Sequence, residues 1–388
     1  MSQATRASWP VPRTRLTAIT PLSLAFALGL SGTAQAQVDG AETACPTPEA
    51  GQLLCGDAPA EDMELASDGA HLFLGTTPGL SGVHQSRLRV MAIDSAKVAE
   101  LAIDVAREPG WGAAGCAAPA QAPGAHGIHL SRRADGREQL LVVNHEGRES
   151  IEFFEPRQTE QGWRMLWRGC VENSTGGVFN DVVGTRDGGF VATVMFEHAA
   201  MGADPRLERM LDGRDTGYLM RWLPGGVLER LPRSETAFPN GIQLEPDGQG
   251  VWVAAWTGRQ LRRYDLARQD YRRSVTLPFM PDNLSWSADG QLLAAGIPDA
   301  GTFRACFLGK DEFCRVATRV AALDPQQGDV KLIYSAPDAV LFGASVAVQV
   351  GADLYVGAFS GDRLLRLPAF FDTDQTAGRV QQSAFHEE

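Results

Sequence analysis

Asn240 to Trp256 reads NGIQLEPDGQGVWVAAW. A polar pair opens a short alternating run, a Pro-Asp-Gly turn follows, and an apolar strand closes the phrase, which is the pattern of two antiparallel strands joined by a tight turn. The same phrase stands upstream from Glu61 as EDMELASDGAHLFLG, from His126 as HGIHLSRRADGREQLLVVN and from Asn180 as NDVVGTRDGGFVATV. Downstream it recurs from Asp282 as DNLSWSADGQLLAAG and, in a worn form, from Gly343 as GASVAVQVGADLYVGAF. The six starts are separated by 65, 54, 60, 42 and 61 residues, and each phrase is followed by a further strand-like run such as RLRVMAID from Arg87 or QLRRYDL from Gln260.

Six repeats of about one four-stranded sheet each predict an all-β fold, a six-bladed β-propeller around a central channel. A single four-stranded sheet buries neither face by itself, whereas neighbouring blades bury both and a closed ring protects the outer edges. One closed domain, residues 37–388, thus accounts for the 388-residue length. With 44% hydrophobic and 21% charged residues the chain is globular, and a net charge of −12 argues against binding nucleic acid through a basic surface.

Residues 1–36 read as a signal peptide. Arg6, Arg13 and Arg15 precede the apolar run Leu16 to Leu30, and Ala34-Gln35-Ala36 is a small-x-small cleavage site. Its removal takes three arginines and no acid, so −12 becomes −15. No later run is apolar for 18 residues, so the expectation is a periplasmic or secreted protein with no transmembrane segment in its mature part. The six cysteines all follow the cleavage site, which favours disulfides. Six allow 15 connectivities; Cys45 with Cys55 and Cys306 with Cys314 close short loops, leaving Cys116 with Cys170.

The polar starts of the repeats should gather at one mouth of the channel. Glu61, Asn180, Asn240, Asp282 and Asn283 would there present five oxygen-bearing side chains with two formal charges. Carboxylates mixed with amide oxygens, without thiolate or imidazole, suit calcium before magnesium or zinc. Any one Asn-Gly or Asn-Asp pair is equally a turn former, but the same position recurs in four repeats. His126 shares that mouth, and His145 ends the strand antiparallel to it, so one imidazole could polarise the other as a general base toward water. Three insertions, residues 107–125, 196–217 and 298–314, are expected to rim the mouth. Within the second, PRLERMLDG predicts a short helix from Pro205 to Gly213, and Trp256 and Phe359 end their strands where they could line a pocket. No G-x-S-x-G, H-E-x-x-H, Walker or G-x-G-x-x-G motif occurs.

The block from His126 to Glu155, GGVFNDV from Gly176, PNGIQLEPDG from Pro239 and PDNLSWSADGQLLAAG from Pro281 resemble the paraoxonase/arylesterase family of six-bladed propellers, within the superfamily that also holds gluconolactonases and strictosidine synthases. The resemblance implies a catalytic calcium on the five residues above and a histidine dyad at His126 and His145. It further implies a second, structural calcium on Asp62, Asp181 and the carbonyl of Ile128, and hydrolysis of lactones or aryl esters as small-molecule substrates. Two other readings stand beside it: a sugar lactonase of gluconolactonase type, and a non-catalytic calcium-stabilised propeller that binds a ligand or protein. The family's disulfide between chain ends has no counterpart, because no cysteine follows Cys314, so the ring must close otherwise. The oligomeric state is not legible.

Overall fold

The computed structural model describes residues 45–372 apart from 46, 49, 338 and 339. The leader expected at residues 1–36 lies outside them. Six sheets form the blades, and in each the strand nearest the channel comes first in sequence or, in the last blade, first after the closing strand. These inner strands are Ala60–Leu65, Ala125–Arg132, Gly177–Gly184, Pro239–Leu244, Met280–Trp286 and Phe342–Val350. Each lies against the next, and the sixth lies against the first. Five blades have four strands; the second gains a fifth, Ala102–Val105, which pairs in parallel with the outer strand Gly162–Glu172.

The ring closes without a covalent link between its ends. Gln52–Cys55 pairs antiparallel with Arg363–Leu367 and becomes the outer strand of the last blade, so both ends of the propeller share one sheet. Cys45–Cys55 pins that strand locally.

Burial follows the repeat. Six apolar clusters each span one pair of adjacent blades, for example Phe73 and Leu88 against Trp167 and Leu140, or Val183 and Leu219 against Ile242 and Tyr264. Alternation along each strand sends residues to both faces, and both faces meet a neighbouring blade. Trp222, Trp252 and Trp256 are all buried, the first two inside interblade cores. Trp286 is half-buried beside the core between blades four and five.

All three expected disulfides form, Cys45–Cys55, Cys116–Cys170 and Cys306–Cys314. The second joins the insertion 107–125 to the strand Gly162–Glu172 across 54 residues of sequence. A loop of that size corresponds to about 4 kcal/mol in the chain-entropy account. The C116S/C170S protein is therefore expected to unfold in urea with ~4 kcal/mol less stability at unchanged activity per folded molecule; a loss below about 1 kcal/mol would contradict the assignment. Among the described residues no helix is long and apolar enough to cross a membrane.

The expected helix from Pro205 to Gly213 does not form. A five-residue helix, α1 (His198–Gly202), precedes it, and the segment itself is a series of turns. Asp204 is the cause: its carboxylate accepts from the backbone N–H groups of Glu208, Arg209 and Met210 at 3.0, 2.7 and 2.9 Å, while Leu207 turns to φ +56°. Side-chain capture of amide donors competes with the helical ladder. A longer helix, α2 (Ala300–Gly309), stands in the third insertion, begun by Asp299, whose side chain accepts from the Gly301 N–H.

Candidate functional site

Every inner strand breaks its register at the same place. Two residues stand opposite one between Ala125 and Ile128, Phe179 and Val182, Pro239 and Ile242, Pro281 and Leu284, and Ala344 and Ala347, and a shift of the same kind frees Glu61 between Ala60 and Asp62. A β-bulge re-aims side chains and leaves the extra residue outside the ladder. The residues so released are Glu61, His126, Asn180, Asn240, Asp282 with Asn283, and Ser345. The polar starts of the repeats are thus bulge residues, which strand alternation alone would have sent to opposite faces.

The five oxygen-bearing residues come together and are almost closed to solvent, with Glu61 at 2%, Asn180 at 4%, Asn240 at 5%, Asp282 at 4% and Asn283 at 1% exposure. Asn283 Nδ2 donates to the Glu61 carbonyl at 3.0 Å and to Glu61 Oε1 at 2.9 Å, joining the fifth blade to the first. Each of the five nevertheless keeps one buried oxygen with no hydrogen-bond donor: Glu61 Oε2 and the Oδ1 atoms of Asn180, Asn240, Asp282 and Asn283. Among the described residues only one other carboxylate or amide oxygen is orphaned in this way, Glu155 Oε1, and it is ion-paired with Arg157. Buried acceptors without donors are costly, and five converging ones call for a positive charge. Burial, and then the charges of Glu61 and Asp62, push the Asp282 carboxyl well above the usual carboxylate range, the penalty expected where acids meet with no cation. The residues present therefore fit a hard divalent cation such as calcium.

The deeper carboxylates differ. Asp62 accepts from the N–H groups of Met63 and Ile128 at 2.8 and 2.7 Å, and Asp181 from those of Val182 and Ile242 at 2.7 and 2.8 Å. All four oxygens have donors, and two of those bonds stitch blade one to two and blade three to four. Ile128 meets Asp62 through its amide. Burial, with neighbouring carboxylates adding to it, raises both acids. The orphaned-oxygen test singles out the upper set, not this one.

Beside the upper set runs a relay. His126 Nδ1 lies 2.8 Å from His145 Nε2, His145 Nδ1 lies 2.9 Å from Glu149 Oε2, and His126 Nε2 lies 3.4 Å from Glu61 Oε1. The other oxygen of Glu149 accepts from the Phe179 N–H at 2.7 Å, which anchors the relay to the third blade. A carboxylate accepts only, so His145 carries its proton on Nδ1 and accepts at Nε2; His126 must then carry a proton on Nδ1, and its Nε2, which faces Glu61 Oε1, is a base in the neutral imidazole. Burial works against a charged His126, but the charge and hydrogen bond of Glu61, with the charge of Glu149, outweigh it and raise its pKa.

Two members of this site escaped the sequence reading. Glu149 stands four residues after His145 in a turn-like stretch, and its spacing was the available signal. Ser345 sits at the bulge of the worn sixth repeat, and its hydroxyl donates to the Glu61 carbonyl at 2.7 Å, closing the ring of inner strands at the site.

An aromatic wall borders the mouth. Phe238 lies 5.0 Å from Trp256 and 5.8 Å from Phe196, centroid to centroid, and Phe303 of α2 lies 4.8 Å from Trp256 and 5.6 Å from Phe359. Trp256 and Phe359 thus belong to one aromatic cluster, Trp256 buried in it and Phe359 half-buried against it. Met280, two residues before Asp282, belongs to the same cluster. Phe238 has φ +50° and immediately precedes Pro239. Both the bulky side chain and the following proline disfavour that conformation, at a cost of order 1–3 kcal/mol. Strain held two residues from Asn240, with the ring turned into the wall, marks a position set by the site.

A family model described as the SMP-30/Gluconolactonase/LRE-like region matches residues 103–354. The human serum paraoxonase/arylesterase 1 is 24% identical over 238 residues, 60% of this chain, and the match spans 65% of that relative's length. A solved luciferin-regenerating enzyme superposes with a TM-score of 0.50 at 13% identity, over 81% of this chain and 94% of its own, a likeness of fold. Virginiamycin B lyase from Staphylococcus aureus gives 0.44 at 12% identity, over 81% and 98%. With the family model covering well over half of the chain, a six-bladed propeller as its fold and the repeat phrases at its channel mouth, the protein belongs to the SMP-30/gluconolactonase/LRE-like family.

Proposed function

We propose that the protein is an exported, calcium-dependent hydrolase of lactones and aryl esters. The observation that carries this reading is the ring of five orphaned buried oxygens lying against a two-histidine relay. Glu61, Asn180, Asn240, Asp282 and Asn283 would hold the ion, and calcium there supplies a Lewis acid for the carbonyl oxygen and its developing negative charge. His126 Nε2 takes the proton of the attacking water. His145 accepts the His126 Nδ1–H throughout, and Glu149 keeps His145 in the tautomer that permits it. Glu61 and Glu149 stabilise the imidazolium that results. Export accords with three disulfides. The aromatic wall favours a substrate with an apolar part over a sugar lactone.

The test is turnover of an aliphatic lactone, an acyl-homoserine lactone, phenyl acetate and gluconolactone, each with calcium, with chelator, and after calcium add-back. Calcium-restored hydrolysis of the first three over the fourth is expected. A melting shift with metal but no turnover of any would overturn the reading and leave a calcium-stabilised binding propeller.

Glu149→Gln offers a separate check. Glutamine must serve the Phe179 N–H with its one oxygen, so its NH2 group faces His145 Nδ1 and forces the opposite tautomer. His126 then carries its proton on Nε2 and no longer acts as a base. The expected result is a fall in kcat of about 10²-fold with KM and calcium affinity held; an unchanged kcat would remove Glu149 from the relay.

A further inference from the structure

Three segments from different parts of the chain meet on one carboxylate far from the ring of orphaned oxygens in sequence. Glu312 is 8% exposed. Its Oε2 accepts from the Ser81 N–H at 3.0 Å and the Ser81 hydroxyl at 2.6 Å, its Oε1 accepts from the Gly361 N–H at 2.9 Å, and its backbone carbonyl accepts from the Ser360 hydroxyl at 2.5 Å. His84 Nε2 stands 3.5 Å from Oε1. The first-blade loop is shaped for this contact: Gly79 has φ +70°, and a Cβ there would lie 2.1 Å from Glu312 Oε1. Glu312 itself sits inside the eight-residue separation closed by Cys306–Cys314, so the disulfide holds the carboxylate and α2 as one piece. A buried carboxylate held by amide and hydroxyl donors is a weak source of stability and a strong source of orientation.

What these segments carry is the wall. Leu80 from the first-blade loop, Phe303 from α2 and Phe359 beside Ser360 pack against one cluster with Trp256, Met280 and Ile297. Phe303 is its hub: besides Trp256 and Phe359 it meets Phe307 at 5.9 Å, and it packs against the second cluster formed by Val178, Met195, Phe196, Leu207 and Met210. Apolar side chains therefore pack in succession from Met280, buried two residues before Asp282, through the half-buried Phe303 to Phe307 at the exterior, where Phe307, Leu308, Phe313 and Val83 are exposed.

We propose that residues 298–314 form a disulfide-closed cap that selects substrates by their apolar chain, with Phe303 the side chain that touches the chain and Glu312 the positioning residue that seats the cap on the first and last blades. This rests on the reading of the channel mouth as a hydrolase site and adds to it the element that sets chain-length preference. The carboxylate fixes where Phe303 stands; Phe303 and Trp256 supply the apolar face; the chain leaves the mouth along Phe307.

The experiment compares the calcium-loaded full-length protein with Glu312→Gln, Ser81→Ala and Phe303→Ala. Glutamine offers one acceptor oxygen to donors that now use two, while Ser81→Ala removes one donor and leaves the Ser81 and Gly361 amides in place. Two series are read: KM and kcat for γ-butyrolactone against γ-undecalactone, and calorimetric binding of cyclopentanone against 2-heptylcyclopentanone, which has the same chain on a ring that cannot be hydrolysed. In Glu312→Gln and Phe303→Ala the KM ratio of long to short lactone is expected to rise about ten-fold, the order that two buried methylene groups are worth, with the kcat ratio unmoved. The long ketone should weaken by the same factor, and Ser81→Ala should show a smaller rise in the same direction. Hydrolysis with wild-type chain-length ratios in both Glu312→Gln and Phe303→Ala overturns the cap, as does a Glu312→Gln protein that only melts earlier. Should Glu312→Gln fail to fold, Phe303→Ala and Ser81→Ala decide alone. Weakened binding of the long ketone in a protein that hydrolyses no lactone supports the cap and overturns the hydrolase reading instead.

Discussion

Asp282→Asn is expected to abolish calcium-dependent hydrolysis and to leave the calcium-free protein at least as stable as before. The two halves have one cause. Without a cation the Asp282 carboxyl is buried among Glu61, Asp62 and Asp181, and burial and these charges together hold it well above its ordinary range. Asparagine keeps the shape and one acceptor oxygen, removes the charge, and so relieves the repulsion. With calcium present the sign reverses, because the variant has lost one of two formal charges among the five donors. Saturating calcium at about a hundred times its dissociation constant should stabilise the parent by roughly 2.7 kcal/mol, and the variant should fall well short at the same concentration. Loss of the Lewis acid is worth several kcal/mol in the transition state, so turnover should fall by on the order of 10²-fold or more. Melting scans in chelator and in calcium, run with lactone assays, check both halves. Parent-like turnover would sink the calcium mechanism, and a variant that melts much earlier in chelator would show that the acidic cluster is not under strain.

The second large effect is expected at His126. Glutamine there retains a donor toward His145 Nε2 and is close in length, but it cannot take a proton. If the 2.8 Å contact between the histidines is a proton relay, kcat should drop by about 10² to 10⁴-fold with KM and calcium affinity nearly unchanged. The His145→Gln variant should lose less, because His126 keeps its imidazole and loses only its partner. Turnover of His126→Gln equal to the parent at every pH would exclude proton transfer by this residue and leave the metal site to act with water alone.

The six blades were legible because each repeat writes its own turn. The Asp-Gly pair at Asp247-Gly248 places Gly248 at φ +74°, and Gly290 in the next blade takes φ +82°. Glycine accepts such angles at little cost, so the turn positions and hence the inner and second strands can be found by inspection. Two of the disulfides followed from loop length in the same local way, and Cys116–Cys170 was what remained. Glu61, Asn180, Asn240, Asp282 and Asn283 were singled out because one position recurs as acid or amide; in the structure all five are buried, each with one oxygen lacking a donor, and His126 lies 3.4 Å from Glu61.

What the sequence did not show were arrangements fixed by a partner that no local pattern names. The segment after Pro205 has helical spacing, but Asp204 folds back on its amides. Glu149 passed unnoticed, and its place is fixed by His145 and by the third blade's Phe179 N–H. Glu312 is separated by 231 residues from Ser81 and by 49 from Gly361.

The sequence by itself determined the number of blades, the residue types at their inner starts and the two short-loop disulfides, since turn conformation, strand alternation and short-loop closure are local properties of the chain. The tertiary structure alone decided that the adjacent residues Asp282 and Asn283 share one bulge, that the ring closes through Gln52–Cys55 on the last sheet, and that Glu312 binds Ser81 of the first blade and Gly361 of the last. Each of these depends on a bulge, a strand pairing or a buried carboxylate whose energy is set by groups dozens to hundreds of residues away, and no local pattern records which of them will be within reach.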